Sequence, residues 1–180
     1  MSQKRYTATA IFLHWLMALM LICLFCVGFY MHGLPLSPFK LKIYSWHKWG
    51  GVSVFLLVWL RLAWRAGHRP PELPVSMSGA LRALAHAGHA MLYLLMVAIP
   101  LSGWLMSSAK GVQTVYLGVL PLPDLIAPNP ELGHALNALH RALNYLLAAT
   151  VIGHAGAALK HHLIDKDDVL SRMLPWRARS

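Results

Sequence analysis

Apolar positions along the chain fall into four long runs, about 8–31, 44–64, 78–107 and 132–163, each interrupted only by isolated polar residues. About 20 residues at ~1.5 Å rise suffice to cross a hydrocarbon core of ~30 Å, so each run predicts a transmembrane helix. Between the runs stand residues that a helix tolerates poorly in its interior. Gly33, Pro35 and Pro38 follow the first run, Pro70, Pro71 and Pro74 fill the second connection, and Pro121, Pro123, Pro128 and Pro130 crowd the third. The third connection, about 110–130, is the longest and predicts a structured lid outside the membrane. The first run is long and carries His14 and Trp15, which marks it as a retained helix rather than a cleaved signal segment. The expected architecture is all-α: one integral membrane domain over 1–180, folded as a four-helix transmembrane bundle. No internal repeat or low-complexity tract is evident.

Composition supports the membrane reading. The chain is 57% hydrophobic and 12% charged, about half the ~25% charged residues of a soluble domain. Its net charge of +10 does not form a stripe suited to nucleic acid; the basic residues lie in connections and near the ends, as topology signals. Eleven of the sixteen fall on one predicted side (Lys4, Arg5, Arg61, Arg65, Arg69, Arg82, Lys160, Lys166, Arg172, Arg177, Arg179) and five on the other (Lys40, Lys42, Lys48, Lys110, Arg141). The positive-inside rule then puts both termini in the cytoplasm and the Pro-rich lid outside. Trp15, Tyr44, Trp46, Trp49, Trp64 and Trp104 lie near predicted helix ends, where interfacial anchors belong.

The candidate chemistry lies in four histidines inside these runs: His14, His47, His140 and His154. Ionisable side chains at membrane depth are expensive, normally face a bundle interior, and point to function. Neutral imidazole is also a common axial ligand of haem iron. The fourteen positions from His140 to His154 correspond to roughly 21 Å along a helix and about 40° around it, so one helix can serve two stacked haems. The topology puts His14 and His154 near the cytoplasmic side, and His47 and His140 near the outer side. Each pair would hold one six-coordinate haem, with no open iron position for oxygen, which makes electron transfer the expected chemistry. A single such histidine reads equally well as an interhelical hydrogen-bonding residue; four at matched depths do not. Gly50 and Gly51 beside His47, and Gly153, Ala155 and Gly156 around His154, would permit close approach of a flat macrocycle, although small residues also serve helix packing. A zinc site lacks a local ligand cluster. Cys23 and Cys26 form C-x-x-C in mid-helix with no histidine next to them, which argues against a thiol redox centre and against covalent haem attachment. The expected haem is therefore non-covalent and b-type.

These residues together resemble the prokaryotic cytochrome b561 family. The likeness is carried by His14-Trp15, by His47 before Gly50 and Gly51, by A-H-x-x-H-x-x-x-Y from Ala85 to Tyr93, by His140 and His154, by His161-His162, and by a basic tail with Arg172, Met173 and Pro175. The resemblance implies two b haems, held by His14 with His154 and by His47 with His140. One branch of the family implies a superoxide oxidase of the bacterial inner membrane, passing electrons from superoxide at the outer face to ubiquinone, with no obligatory protein partner. On that reading Lys42, Lys48, Lys110 and Arg141 would steer the anion, because they outnumber Asp124 and Glu131 on the outer side; solubility or pairing with haem propionates explains them as well. His161, nearly two turns beyond His154, would contact a quinone carbonyl or relay a proton, or else serve as an interfacial cation. Arg61 and Arg65 share a helix face and would snorkel or bind propionates. His86 and His89 are expected to hydrogen-bond near the inner haem or quinone, and His32, His68 and His134 read as loop or helix-end residues. Two other functions compete: a membrane b subunit linking a soluble redox partner to the quinone pool, and a non-redox haem carrier, for which bis-histidine burial makes release difficult.

Overall fold

A computed structural model describes residues 5–74 and 77–175. Lys4, Arg177, Arg179 and Ser180, on which part of the charge asymmetry and one terminus rest, lie outside the described residues. The chain forms four long helices, α1 (Ala8–His32), α2 (Pro38–Gly67), α3 (Gly79–Ala109) and α4 (Pro130–Lys160). Between α3 and α4 lie two short strands, β1 (Val115–Tyr116) and β2 (Leu120–Pro121). α4 continues into a π-helical turn, His161–Asp165, and a 3₁₀ turn follows at Ser171–Met173.

Each of α2, α3 and α4 begins well before, or close to, its apolar run, because its start is set by a cap. The Ser37 side chain accepts from the Lys40 N–H with Pro38 in the first turn; Ser78 accepts from Leu81; Asn129 accepts from Leu132 with Pro130 in the first turn and Glu131 nearby. Pro38 and Pro130 thus start helices, since a proline in the first turn lacks only an N–H that would be unpaired anyway. The expected start of the second helix near 44 is corrected to Pro38, and His47 lies nine residues inside α2 rather than at its head. Pro100 sits within α3, which runs through it; neighbouring helices make that tolerable in a membrane protein.

By length and composition α1, α3 and the helix Pro130–Asp165 can each cross a membrane. α2 has the length, but Lys48 and Arg61 leave only a short uncharged apolar centre between them. α1 packs on α2, α2 on α3 and α3 on α4. The first three meet at Met17, Val58 and Met96, with Leu21, Leu57 and Leu92 around them. α3 and α4 pack closely at the small residues Ala109 and Gly133, where a Cβ added at Gly133 would stand 3.1 Å from Lys110 Cγ and 3.7 Å from Ala109 Cβ. Large apolar side chains such as Phe12, Leu19, Phe29 and Ile152 project outward, as a bundle solvated by lipid requires.

The third connection is a structured lid. β1 and β2 pair antiparallel, Val115 with Pro121 and Tyr116 with Leu120, around a turn with positive φ at Leu117 (53°) and Gly118 (76°). Helix side chains clamp it: Trp49 Nε1 donates to the Val115 carbonyl (2.7 Å), Lys48 Nζ to Val112 (3.2 Å), and Trp104 Nε1 to Pro123 (3.0 Å). Ser53 and Tyr116 share a hydroxyl contact of 2.9 Å. At the opposite end Trp64 Nε1 donates to Thr7 Oγ1, Trp15 Nε1 to the Met173 carbonyl, and Arg172 to the Glu72 carbonyl. Four of the tryptophans expected as interfacial anchors therefore also tie the helices to their connections.

Candidate cofactor-binding site

The four intramembrane histidines meet as two pairs. His14 lies six residues into α1 and His154 six residues before the end of α4; His47 lies nine into α2 and His140 ten into α4. Their ring centroids are 6.2 Å apart in the His14–His154 pair and 6.5 Å apart in the His47–His140 pair. An imidazole nitrogen binds a first-row metal at about 2 Å, which puts the centroids of two imidazoles on opposite sides of one metal about 6.3 Å apart. Both separations suit a shared iron.

Around the His47–His140 pair lies a cavity of about 430 Å³ walled by all four helices, within the size range of cofactor pockets. Its apolar wall includes Leu24, Phe25, Val54, Phe55, Met96 and Leu147. Two glycines give the rings their space: a Cβ at Gly28 would stand 3.2 Å from His47 Cε1, and one at Gly103 would stand 3.2 Å from His140 Cε1. His140 Nδ1 lies 2.9 Å from Ser102 Oγ and 3.1 Å from the Ile99 carbonyl. That carbonyl can only accept, so Nδ1 carries the proton and Nε2 is left free for a metal. His47 Nδ1 is buried with no hydrogen-bond partner among the described residues, so its ring is oriented less firmly by the protein. The donor set, the cavity and the glycine cradles fit a b-type haem.

The His14–His154 pair has a more polar setting. Arg61 reaches toward His14 Nδ1 (3.4 Å), donates to Tyr93 Oη (3.1 Å) and donates to the Ala10 carbonyl (3.3 Å). Arg61 and Arg65 line a small void of about 30 Å³ with Tyr6 and His68, room for about one water. Tyr6, outside the helices, has its phenol pKa raised by burial, against the opposing pull of Arg65 and Arg61. The His89 ring lies 5.3 Å from that of His154, so the site at His14 and His154 gathers three histidines. Its A-H-x-x-H spacing on α3 was the available signal.

The predicted cations divide. Lys48, Lys110 and Arg141 line the cavity, joined by His32, which the sequence suggested only as a helix-end residue. Lys42 is exposed over the Trp46 ring, 5.2 Å from its centroid, and does not line the cavity. His161 lies at the C-terminal end of α4, with Nδ1 2.6 Å from Asp167 Oδ2. The structure also identifies glycines that sequence reasoning missed: Gly28 and Gly103 are the ones that approach histidine rings, while Gly50 makes room for Leu24, and nothing lies within 4 Å of a Cβ at Gly51, Gly153 or Gly156. Cys23 and Cys26 are free and exposed on α1.

Comparison with known proteins agrees with this geometry. Residues 5–176 match the family described as prokaryotic cytochrome b561. Cytochrome b561 homolog 2 of Escherichia coli K12 is 35% identical over 172 residues, covering 95% of this chain and 92% of that protein. Cytochrome b561 homolog 1 of the same organism is 30% identical over 179 residues, covering 97% and 99%. A Yersinia pestis protein named probable superoxide oxidase CybB is 28% identical over 172 residues, covering 96% and 97%. A helical membrane bundle with paired intramembrane histidines, matched over nearly its whole length, this chain belongs to the prokaryotic cytochrome b561 family of membrane electron-transfer proteins that bind b-type haem.

Proposed function

We propose that the protein is a di-haem b cytochrome that takes electrons from superoxide at the outer face and delivers them to ubiquinone near the inner face. The observation that carries this reading is the pair of histidine couples, with centroid separations of 6.2 and 6.5 Å at two depths. His47 and His140 would hold the outer haem, His14 and His154 the inner one. Haem, when bound, supplies reversible one-electron transfer. The residues of the chain do the rest. Ser102 and the Ile99 carbonyl fix the tautomer of His140. Lys48, Lys110 and Arg141 bring positive charge to the cavity they line, which raises the local concentration of a small anion. Arg61 and Arg65 supply cations for propionates at the inner site. His161 offers a hydrogen-bonding imidazole to a quinone carbonyl. The superoxide assignment is supported by the name of the Yersinia pestis relative, probable superoxide oxidase CybB, and by the cations that line the cavity. With this orientation both chain ends face the cytoplasm of a bacterial inner membrane.

The test is stopped-flow absorbance on the purified protein without any soluble redox partner. Superoxide is expected to reduce the haem absorbance bands at a rate that falls with added salt, since steering is screened over a Debye length of ~8 Å at physiological ionic strength. A ubiquinone analogue should then reoxidise them. Haems that superoxide cannot reduce, but a soluble redox protein can, would establish instead a b subunit coupling such a partner to the quinone pool.

A further inference from the structure

The inner end of α4 carries an arrangement of titratable groups that haem binding does not use. After the π-helical turn His161–Asp165, Lys166 adopts a left-handed conformation (φ 52°, ψ 33°), and the Asp167 N–H returns to the His161 carbonyl at 3.1 Å. This reversal brings the Asp167 side chain back onto His161, with Oδ2 2.6 Å from Nδ1. Asp167 Oδ1 accepts the Val169 N–H at 3.0 Å, so both carboxylate oxygens are engaged. Asp165 Oδ2 stands 3.1 Å from the same nitrogen, but that carboxylate is shared with Lys160 Nζ at 2.6 Å. The His161 side chain is only 16% exposed. With Nδ1 donating to a carboxylate, Nε2 is the nitrogen left to face another partner.

We propose that Asp167 is a positioning residue for proton delivery: it holds the His161 ring so that Nε2–H is presented to a ubiquinone carbonyl oxygen, and it stabilises the imidazolium from which the proton leaves. The inference rests on the reading that ubiquinone accepts the electrons beside His161. The balance requires such a donor. Two superoxide anions lose one electron each and become two molecules of oxygen; ubiquinone gains those two electrons and two protons and becomes ubiquinol. Each proton passes from Nε2 to a quinone oxygen as the O–H bond forms. It leaves a neutral imidazole whose Nδ1–H stays on Asp167, and water at the inner surface returns the proton to Nε2. The carboxylate–imidazole arrangement serves general acids in this way by fixing tautomer and orientation.

The experiment uses the haem-loaded full chain, superoxide as donor and a short-chain ubiquinone analogue as acceptor. In Asp167→Asn, haem content and the rate of haem reduction by superoxide should match the parent. The KM for the quinone should hold while kcat falls by about tenfold, less than the ~10²–10⁴-fold typical of losing a general acid outright. The solvent deuterium isotope effect on kcat should rise, because proton transfer becomes limiting, and Asp167→Glu should restore part of the rate. Should Asp167→Asn fail to accumulate, Lys166 provides a second route. Lys166→Gly keeps the left-handed turn and should behave as parent, whereas the β-branched Lys166→Val should reproduce the loss of kcat and the larger isotope effect. A parental kcat and isotope effect in Asp167→Asn, or a raised KM with kcat intact, overturns this inference alone. A parent protein that superoxide reduces but ubiquinone never reoxidises overturns it together with the reading beneath it.

Discussion

Gly103→Ala is the sharpest probe of the outer site, because the methyl group it adds has a known neighbour. The new Cβ would stand 3.2 Å from His140 Cε1 and 3.5 Å from Nδ1, whereas carbon atoms pack best at about 3.5–4.0 Å. The ring must therefore give by roughly 0.3 Å or more. It cannot yield freely, since Nδ1 is already engaged by Ser102 Oγ at 2.9 Å and by the Ile99 carbonyl at 3.1 Å. Overpacking of this kind costs about 1–3 kcal/mol, and a weakened hydrogen bond adds about 1 kcal/mol. A total of about 2–4 kcal/mol, charged against ligation by a ring forced out of line with His47, weakens outer haem binding by about 30- to 900-fold. The helix itself gains from the change, because alanine is favoured over glycine by about 1 kcal/mol in a helix interior. Helical content and the inner haem should therefore survive. Pyridine haemochrome stoichiometry and a redox titration of the purified variant measure the effect, with Gly67→Ala, whose Cβ meets nothing within 4 Å, as control. Gly28→Ala should act in the same direction but more mildly, since His47 Nδ1 has no hydrogen-bond partner among the described residues to hold its ring in place. A Gly103→Ala protein with full haem content and an unchanged outer midpoint potential would refute the placement of a haem against His140.

Other consequences follow from the same geometry. Neutralising Lys110 and Arg141 together should slow haem reduction by superoxide about fivefold at low salt, because two unit charges at ~8 Å contribute about 1 kcal/mol in water; Lys42→Gln should do little, and equal effects in stopped-flow would refute steering by the cations that line the cavity. Gly50→Ala would put a Cβ 2.6 Å from Leu24 Cδ2 and should destabilise α1–α2 packing by about 1–3 kcal/mol, with rescue by Leu24→Ala in thermal unfolding of the detergent-solubilised protein. Burial raises the Tyr6 pKa above its ordinary value of 10.0. The unfolded chain therefore ionises this phenol first, and the stability it contributes is lost as pH rises through the folded value. Tyr6→Phe should flatten the alkaline decline of the unfolding midpoint.

The bundle and its histidine pairs were legible because membrane insertion demands long apolar runs and penalises every polar exception, so each intramembrane histidine stood out and carried its depth with it. Helix starts were less legible. Pro38 and Pro130 look like breakers in a list of residue types, yet behind Ser37 and Asn129 they occupy the first turn, where proline is at home. Glycines were legible only in part, for a related reason: adjacency in sequence singles out Gly50 and Gly153, while the glycines that touch the histidine rings, Gly28 and Gly103, come from neighbouring helices. His89 was expected near the His14–His154 site and does lie against His154; what the sequence could not supply was its distance, which depends on how closely α3 and α4 pack. The Asp167 contact depends on a left-handed lysine, which no periodicity reveals.

The central claim is that each histidine pair holds one haem, and it is tested most directly by counting haems in the parent, His140→Ala and His154→Ala proteins by pyridine haemochrome assay. Two haems per chain in the parent and one in each variant, with different midpoint potentials remaining, is the predicted result. One haem in the parent, or two retained in either variant, would contradict it.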